Sequence, residues 1–402
     1  MLIGIVGKPS AGKSTFLNAA CLTSAKTGDY PFTTIEPNRG TAFVTSPCVC
    51  RELGVEDQPR NSLCVDGTRM IQVELLDVAG LVPGAHEGRG MGNKFLSDLA
   101  RADVLLHVVD LSGSLDAEGN PVDPGSHDPM EDVEFLAEEI ARWVAGILTR
   151  SDWKKFSANV ERQKIPAWRA FLDRLTGLGV RKEHVLDALG QTGLEKKPLG
   201  QWDQGDVLSF SRAIQRMAKP IVVVGNKVDQ ATSEKNLRAM RDAGVDVIPA
   251  SALAEYWLRT YSEKGVLKYV PGSSGFEVLQ PDQMSDQERA VLERVQEQIL
   301  DVHGSTGVQA ALNHAVFDVL RMVTVYPVHD SNKYGDKDGR VLPDAFLVES
   351  GTPIKEFVAT CIHTELAETF IHAIDARTKK RLGEAYRVKN RDVLKIVSAK
   401  GR

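Results

Sequence analysis

The run Gly7-Lys8-Pro9-Ser10-Ala11-Gly12-Lys13-Ser14 constrains this chain more than any other feature. It fits the pattern G-x-x-x-x-G-K-[ST] in full. An apolar run, Leu2–Val6, precedes it, and Thr15-Phe16-Leu17-Asn18-Ala19 opens a helical pattern after it. A strand, a glycine-rich turn and a helix start, in that order, curl successive backbone N–H groups around an anion, and the helix adds its positive end. The expected phosphate-binding residues are therefore Lys8, Pro9, Ser10, Ala11, Gly12, Lys13, Ser14 and Thr15. Lys13 is expected to reach the β- and γ-phosphates of a bound triphosphate and Ser14 to ligate Mg²⁺.

The loop sits in a chain of 402 residues, long enough for two or three domains. Six short apolar runs read as buried strands: Leu2–Val6, Thr41–Thr45, Ile71–Leu76, Val104–Val109, Ile221–Val224 and Val245–Ile248. Helical patterns separate most of them, which predicts a largely parallel α/β sheet covered on both faces. The stretch from Leu111 to Pro220 is far too long for one crossover helix. Helical spacing at Met130–Leu148 (Val133, Leu136, Ile140, Trp143 and Ile147 on one face) and at Ala167–Leu175 predicts a helical insert packed on itself. A polar stretch, Tyr261 to Arg289, with Pro271-Gly272-Ser273-Ser274-Gly275, reads as a loop. Helices are expected at Gln287–Val302 and Gly307–Val319. From Met322 the pattern changes to short β-like runs (Met322–Tyr326, Ala345–Val348, Asp392–Val397) around one helix, Pro353–Ile362, as in a separate small α+β domain. The expected division is 1–110 with 220–320, then 111–219 as insert, then 321–402.

Composition narrows the setting. With 42% hydrophobic and 26% charged residues, and no apolar run of about 18, the chain reads as soluble with no membrane span. It begins on a strand, and no secretory leader is expected. Five scattered cysteines fit a reducing cytoplasm better than a disulfide framework. The net charge of −5 is uneven: Arg377 to Arg402 holds ten basic and two acidic residues, a local +8, so the rest carries −13. Such an end suits a polyanion such as RNA, or is a solvated face.

Three further elements follow strands in order. Asp77 ends an apolar run before Val78-Ala79-Gly80. Its carboxylate is expected to hold Mg²⁺, through water, and the Gly80 amide to sense the γ-phosphate. Between the phosphate loop and Asp77 lies Tyr30-Pro31-Phe32-Thr33-Thr34-Ile35-Glu36-Pro37-Asn38. A threonine here can close on the metal and the γ-phosphate; Thr34 is the choice and Thr33 the alternative. Gly84 to Gly92 carries four glycines in nine residues and is placed for a second switch. Next, Asn226-Lys227-Val228-Asp229 follows a strand. Asp229 is expected to accept hydrogen bonds from guanine N1–H and N2, a donor pair adenine lacks. Asn226 braces the loops, and the Lys227 stem lies along the base. Ser251, Ala252 and Leu253 follow the last strand, with amides expected near guanine O6.

With these elements the chain resembles the Obg superfamily of translation-factor-class GTPases, in particular its YchF-like branch. The residues that carry the resemblance are Gly7–Ser14, Tyr30–Asn38, Asp77–Gly84 and Gly90–Phe95, and it extends over nearly the whole chain. It implies a Ras-like P-loop domain with a helical insert, a C-terminal TGS domain of ubiquitin-like fold over about Arg321–Ser398, and association with ribosomes or RNA. Two departures matter. YchF proteins usually lack the acidic base-reading residue and accept ATP, whereas Asp229 here favours GTP. Many relatives have Asn where this chain has Ser10, which puts potassium-activated hydrolysis in doubt.

Hydrolysis is expected to be slow. Leu81 follows Gly80, where Ras-like enzymes place a water-orienting Gln. Lys13 and Thr34 act on the phosphates, and His86 is the candidate to replace the Gln, against its reading as a surface loop histidine. Arg89 reads as solvated. Cys48, Cys50 and Cys64, with Asp57 between, lack a clear fourth metal ligand, and reduced thiols are the default. The expectation is thus a cytoplasmic, Mg²⁺-dependent GTP switch that meets ribosome or RNA. An ATP-preferring ATPase and a non-enzymatic RNA-binding module are the alternatives. Nothing demands an oligomer.

Overall fold

The computed structural model describes residues 1–21, 39–78, 98–150 and 152–399. Two compact units emerge, one of Met1–Thr41 with Glu74–Ala311, the other of Ala42–Val73 with Leu312–Arg402. In chain order the first elements are β1 (Leu2–Val6), α1 (Lys13–Cys21), β2 (Arg39–Pro47), the short helix α2 (Val49–Leu53), β3 (Ser62–Val65), β4 (Thr68–Asp77) and β5 (Val104–Asp110). After the insert come β6 (Ile221–Asn226) and β7 (Val247–Pro249).

The first unit is built on a parallel sheet. Leu2–Ile5 of β1 pairs with Glu74–Asp77, and Ile3–Val6 pairs with Val104–His107 on the other side. β6 lies beside β5, and β7 beside β6. Every residue of β5 is buried, as are Ile3 to Val6 of β1, which is why these strands read as continuous apolar runs rather than alternating ones. Parallel order brings the C-terminal ends of β1, β4, β5 and β6 to one edge, where ligands of open α/β sheets bind.

The insert folds on itself as expected. Its first helix, Pro129–Thr149, starts at Asp128, whose carboxylate accepts from the Met130 amide, with Pro129 at the first helical position. The helix Gln204–Ala218 packs against it, and Arg212 of that helix pairs with Glu138 at 2.9 Å. Between the insert's helices lies an aromatic core of Trp153, Phe156, Phe171, Trp202 and Phe210. The Phe171 and Phe210 ring centres are 4.8 Å apart, and both side chains are fully buried. Phe171→Ala should cost about 3–5 kcal/mol, read from denaturant unfolding followed by tryptophan fluorescence. A loss under about 1 kcal/mol would contradict this packing.

The stretch expected as a loop from Tyr261 to Arg289 is better organised than that. The helix Ala252–Glu263 covers its start, and β8 (Leu267–Lys268) and β9 (Glu277–Val278) form a small hairpin. Tyr261, Val266, Leu267, Tyr269 and Met284 are buried, so five apolar anchors in a polar sequence suffice to order it. The helix Asp286–Val295 runs on through a π turn, Gln296–Leu300.

The second unit joins the excursion 42–73 to the C-terminal part of the chain. β3 and β4 form an antiparallel hairpin. The C-terminal sheet has the order β11 (Phe346–Glu349), β10 (Met322–Val328), β14 (Asp392–Ser398), β12 (Phe370–Asp375), β13 (Arg381–Leu382), with β10 and β14 parallel and the remainder antiparallel. The helix Ile354–Phe357 and its π continuation, Val358–Ile362, bury Phe357 and Val358 in that unit's core with Val325 and Leu394. A second helix, Thr364–Glu368, and strands β12 and β13 were not expected. Residues 42–73 are tied in by Arg60 to Asp344 at 2.5 Å, by Asn61 to the Ala345 backbone and by Glu52 to Arg377 and Arg391. The basic end is therefore part of this sheet through Ser398, and two of its arginines are spent on Glu52.

A candidate nucleotide-binding site

The phosphate loop leaves β1 at Gly7. A Cβ there would lie 2.3 Å from the Val108 carbonyl oxygen, so only glycine lets the chain turn this close to β5. Ser10 is left-handed (φ 62°), and the loop closes with Phe16 N–H donating to the Gly12 carbonyl at 2.8 Å as α1 begins. Lys13 Nζ donates to the Lys8 carbonyl at 2.8 Å, and Ser14 Oγ donates to Asp77 Oδ2 at 2.9 Å. Burial pulls the Lys13 pKa below the ordinary lysine value, and Asp77 offsets part of that. Lys13, Ser14 and Asp77 thus stand together, with one ammonium and a hydroxyl–carboxylate pair facing the loop.

Asn226 joins this loop to the second half of the site. Its Nδ2 donates to the Ala11 carbonyl at 2.8 Å, and its Oδ1 accepts from the Ala252 amide at 3.0 Å. Gly12 has a matching reason to be glycine: at φ 101° its Cβ would fall 2.2 Å from Asn226 Nδ2. Asn226→Ala leaves two buried backbone groups unpaired, at about 1–3 kcal/mol each. Equilibrium unfolding should show that loss, and unchanged stability would contradict the bracing role.

Asp229 is presented by Ser251, whose Oγ donates to Asp229 Oδ1 at 2.8 Å, while Gln230 Nε2 holds Oδ2 at 2.9 Å. The expectation for the following amides needs a correction. Ser251 N–H donates to the Thr306 carbonyl and Ala252 N–H to Asn226, so two of the three amides are committed within the protein. The Leu253 amide sits in the first turn of its helix, where no helical acceptor exists. A pocket of about 310 Å³ opens beside Asp229, lined by Ser251, Leu253, Trp257 and Ile299.

Three residues near the loop carry roles that the sequence reading missed. The Lys8 side chain points away from the phosphate position: Nζ pairs with Asp132 at 2.8 Å and donates to the Leu115 carbonyl, clamping the start of the insert to the loop. Asp110 receives Lys227 Nζ at 2.9 Å. Burial works against the Asp110 carboxylate, but hydrogen bonds from Ser112, Lys227 and Ser114 outweigh it and hold it below the usual range. His107, on β5, is buried beside Lys13 and Lys8, and burial together with those cations pulls its pKa down to about 3, so it stays neutral. A polar residue inside an apolar strand was the available signal for His107; none marked Asp110. Thr34, Gly80 and His86 lie outside the described residues.

A glycine-rich loop at a helix start, a serine and an aspartate converging beside it, and an asparagine that ties it to an aspartate-bearing loop define a P-loop protein of the GTPase class. Comparison with known proteins agrees. Residues 2–145 match the 50S ribosome-binding GTPase family, 224–330 the G4-motif-containing domain of YGR210-like Obg-like GTPases, and 337–398 the TGS domain. A GTP-binding protein of Methanocaldococcus jannaschii is 45% identical over 400 residues, covering 99% of each chain. One from Schizosaccharomyces pombe is 36% identical over 363 residues, 88% of each chain. The crystal structure of a GTP-binding protein from Pyrococcus horikoshii OT3 superposes with a TM-score of 0.79 at 37% identity, over 99% of this chain and 100% of that one. The chain belongs to the Obg-like, YchF-like GTPase family, with a P-loop GTPase domain, a helical region and a C-terminal TGS domain.

Proposed function

We propose that this chain binds Mg²⁺·GTP, hydrolyses it slowly and uses the nucleotide as a switch for docking on RNA or the ribosome, as a cytoplasmic monomer. The observation that carries this reading is the Asn226 bridge. One side chain holds the phosphate loop at Ala11 and the base loop at Ala252, so the two halves of a nucleotide site share a single brace. In this reading the loop amides and Lys13 take the phosphates, and Asp229, with the Lys227 stem beside it, takes guanine. Ser14 and Asp77 hold the metal: a hydroxyl and a carboxylate 2.9 Å apart are hard oxygen donors of the kind Mg²⁺ prefers. The ion, when bound, screens phosphate charge. Thr34 and Gly80 answer to the γ-phosphate, with Thr33 the alternative to Thr34. Leu81 in place of a water-orienting Gln supports slow turnover, with His86 or a partner supplying that role.

Docking on RNA draws support from the TGS-domain match and from the ribosome-binding description of the family matched by residues 2–145. Of the basic residues, Arg377 and Arg391 pair with Glu52, and Lys379 Nζ donates to the Ser331 carbonyl. Exposed Lys380, Arg381 and Lys389 are the better candidates for phosphate contacts. Titration with labelled GTP and ATP in Mg²⁺ should show tighter GTP binding, and tighter ATP binding would overturn the base assignment. Single-turnover phosphate release, with and without ribosomes, tests hydrolysis. Release no faster than the uncatalysed background would favour a binding module. Replacing Lys380 and Arg381 by Gln should weaken RNA affinity and flatten its salt dependence; an unchanged salt slope would mark these side chains as a solvated face.

A further inference from the structure

The second unit holds a cluster that the nucleotide site does not use. Cys48 caps the N-terminus of α2, Cys50 lies within it, Asp57 is in the loop that follows, and Cys64 is on β3. Their three sulfurs and one carboxylate oxygen all lie within 4.8 Å of one another. Cys50 Sγ and Cys64 Sγ are 3.9 Å apart, and Cys48 Sγ donates to Asp57 Oδ2 at 3.2 Å. A tetrahedral zinc site with Zn–S near 2.3 Å has its sulfurs roughly 3.8 Å apart. We propose that Cys48, Cys50, Asp57 and Cys64 bind one zinc ion, which staples the excursion 42–73 of the second unit.

The donor set argues for zinc and for a structural role. Three thiolates are soft ligands that select zinc over the magnesium expected at the phosphate loop. Four protein ligands close the coordination sphere, and Cys48 and Cys50 are almost fully buried, so no position is left for a reacting water. Asp57 supplies the fourth ligand that cysteine spacing alone did not reveal. Its Oδ2 also lies 3.4 Å from Arg69 Nη1, a fully buried guanidinium that stacks over the Tyr326 ring. Arg69 therefore offsets part of the negative charge that three thiolates and a carboxylate bring. Such outer partners are a regular feature of metal sites.

Zinc would displace the thiol protons on binding. The need for a staple is also visible. Between β2 and β3 the only regular element is the five-residue helix α2, too short to be stable alone. The alternative is a set of three reduced thiols packed as small apolar groups.

The test uses the full chain without a metal-binding tag. Elemental analysis after gel filtration should find one equivalent of zinc, released when a mercurial reagent caps the thiols. The zinc-stripped chain refilled with Co²⁺ should show a sulfur-to-cobalt charge-transfer band in the near ultraviolet. Cys64→Ser should lose stoichiometric zinc, and Cys361→Ser, outside the cluster, should keep it. If Cys64→Ser fails to fold, the wild-type metal content and cobalt spectrum decide. A wild-type chain without zinc and without the cobalt band overturns the proposal, as does a Cys50–Cys64 disulfide seen as a mass two hydrogens lower.

Discussion

Lys13→Met is expected to weaken GTP binding by about 2–5 kcal/mol, roughly 30- to 4,000-fold, while leaving the ligand-free fold as stable as before or more so. The two effects have one cause. Lys13 donates to the Lys8 carbonyl and is largely shielded from water, and that burial pulls its pKa below the ordinary 10.5. A lysine whose folded pKa lies below its unfolded value makes the folded state pay for its charge wherever it is protonated in both states. That cost is fully present at neutral pH and is relieved only as pH rises through the window between the folded pKa and 10.5. Methionine keeps most of the stem and removes the charge, so the cost disappears. A bound triphosphate reverses the balance, because the ammonium then has anionic oxygens to meet and the mutant leaves those oxygens unpaired. Thermal melts without nucleotide and GTP titrations should move in opposite directions, a trade of stability for function. A mutant that loses stability and keeps its GTP affinity would place Lys13 in a structural role instead.

Local chemistry was readable in the sequence; partnerships between distant segments were not. The Gly7–Ser14 loop announces itself because its glycines, lysine and serine must be contiguous, and β1 and β5 do so because strands buried on both faces are apolar throughout. The insert was legible from helical spacing and from its length. Lys8 shows the limit. It lies within the loop pattern, yet its side chain serves Asp132, far along the chain, and no spacing rule links the two. The same holds for Asp110 with Lys227, and for the attachment of residues 42–73 to the C-terminal sheet through Arg60, Asn61 and Glu52. β12 was missed because Phe370, His372 and Ile374 are only partly buried, which leaves a weak alternation around the buried Ala373. The stretch after Tyr261 looked like a loop because a few irregularly spaced buried anchors carry little periodic signal. Asp57 was noted between the cysteines, but a carboxylate in a loop carries no ligand signature until the structure brings three sulfurs beside it.

Asp229→Asn should abolish the preference for GTP and create one for a nucleotide whose base carries a carbonyl at C2. In the proposed site the Asp229 carboxylate accepts from both guanine N1–H and the N2 amino group, a pairing that needs two acceptors side by side. Asparagine offers one acceptor and one amino group. Against guanine, the new N–H meets the N2 amino group donor to donor, and the contact is lost at a cost of about 2–5 kcal/mol. Against xanthine, the Asn carbonyl still accepts from N1–H and its amino group donates to the C2 carbonyl, so complementarity returns. The protein side of the exchange is small. Ser251 Oγ donates to Asp229 Oδ1 and can donate equally to an amide carbonyl, although Gln230 Nε2, now on Oδ2, would face the amino group and has to turn away. Stability should therefore change little while specificity inverts, which separates base reading from folding. The measurement is a competition among GTP, XTP and ATP on wild type and mutant in Mg²⁺. Tighter XTP than GTP binding in the mutant, with unchanged thermal stability, supports Asp229 as the residue that selects the base; equal losses for all three nucleotides would mean that Asp229 shapes the loop and reads nothing.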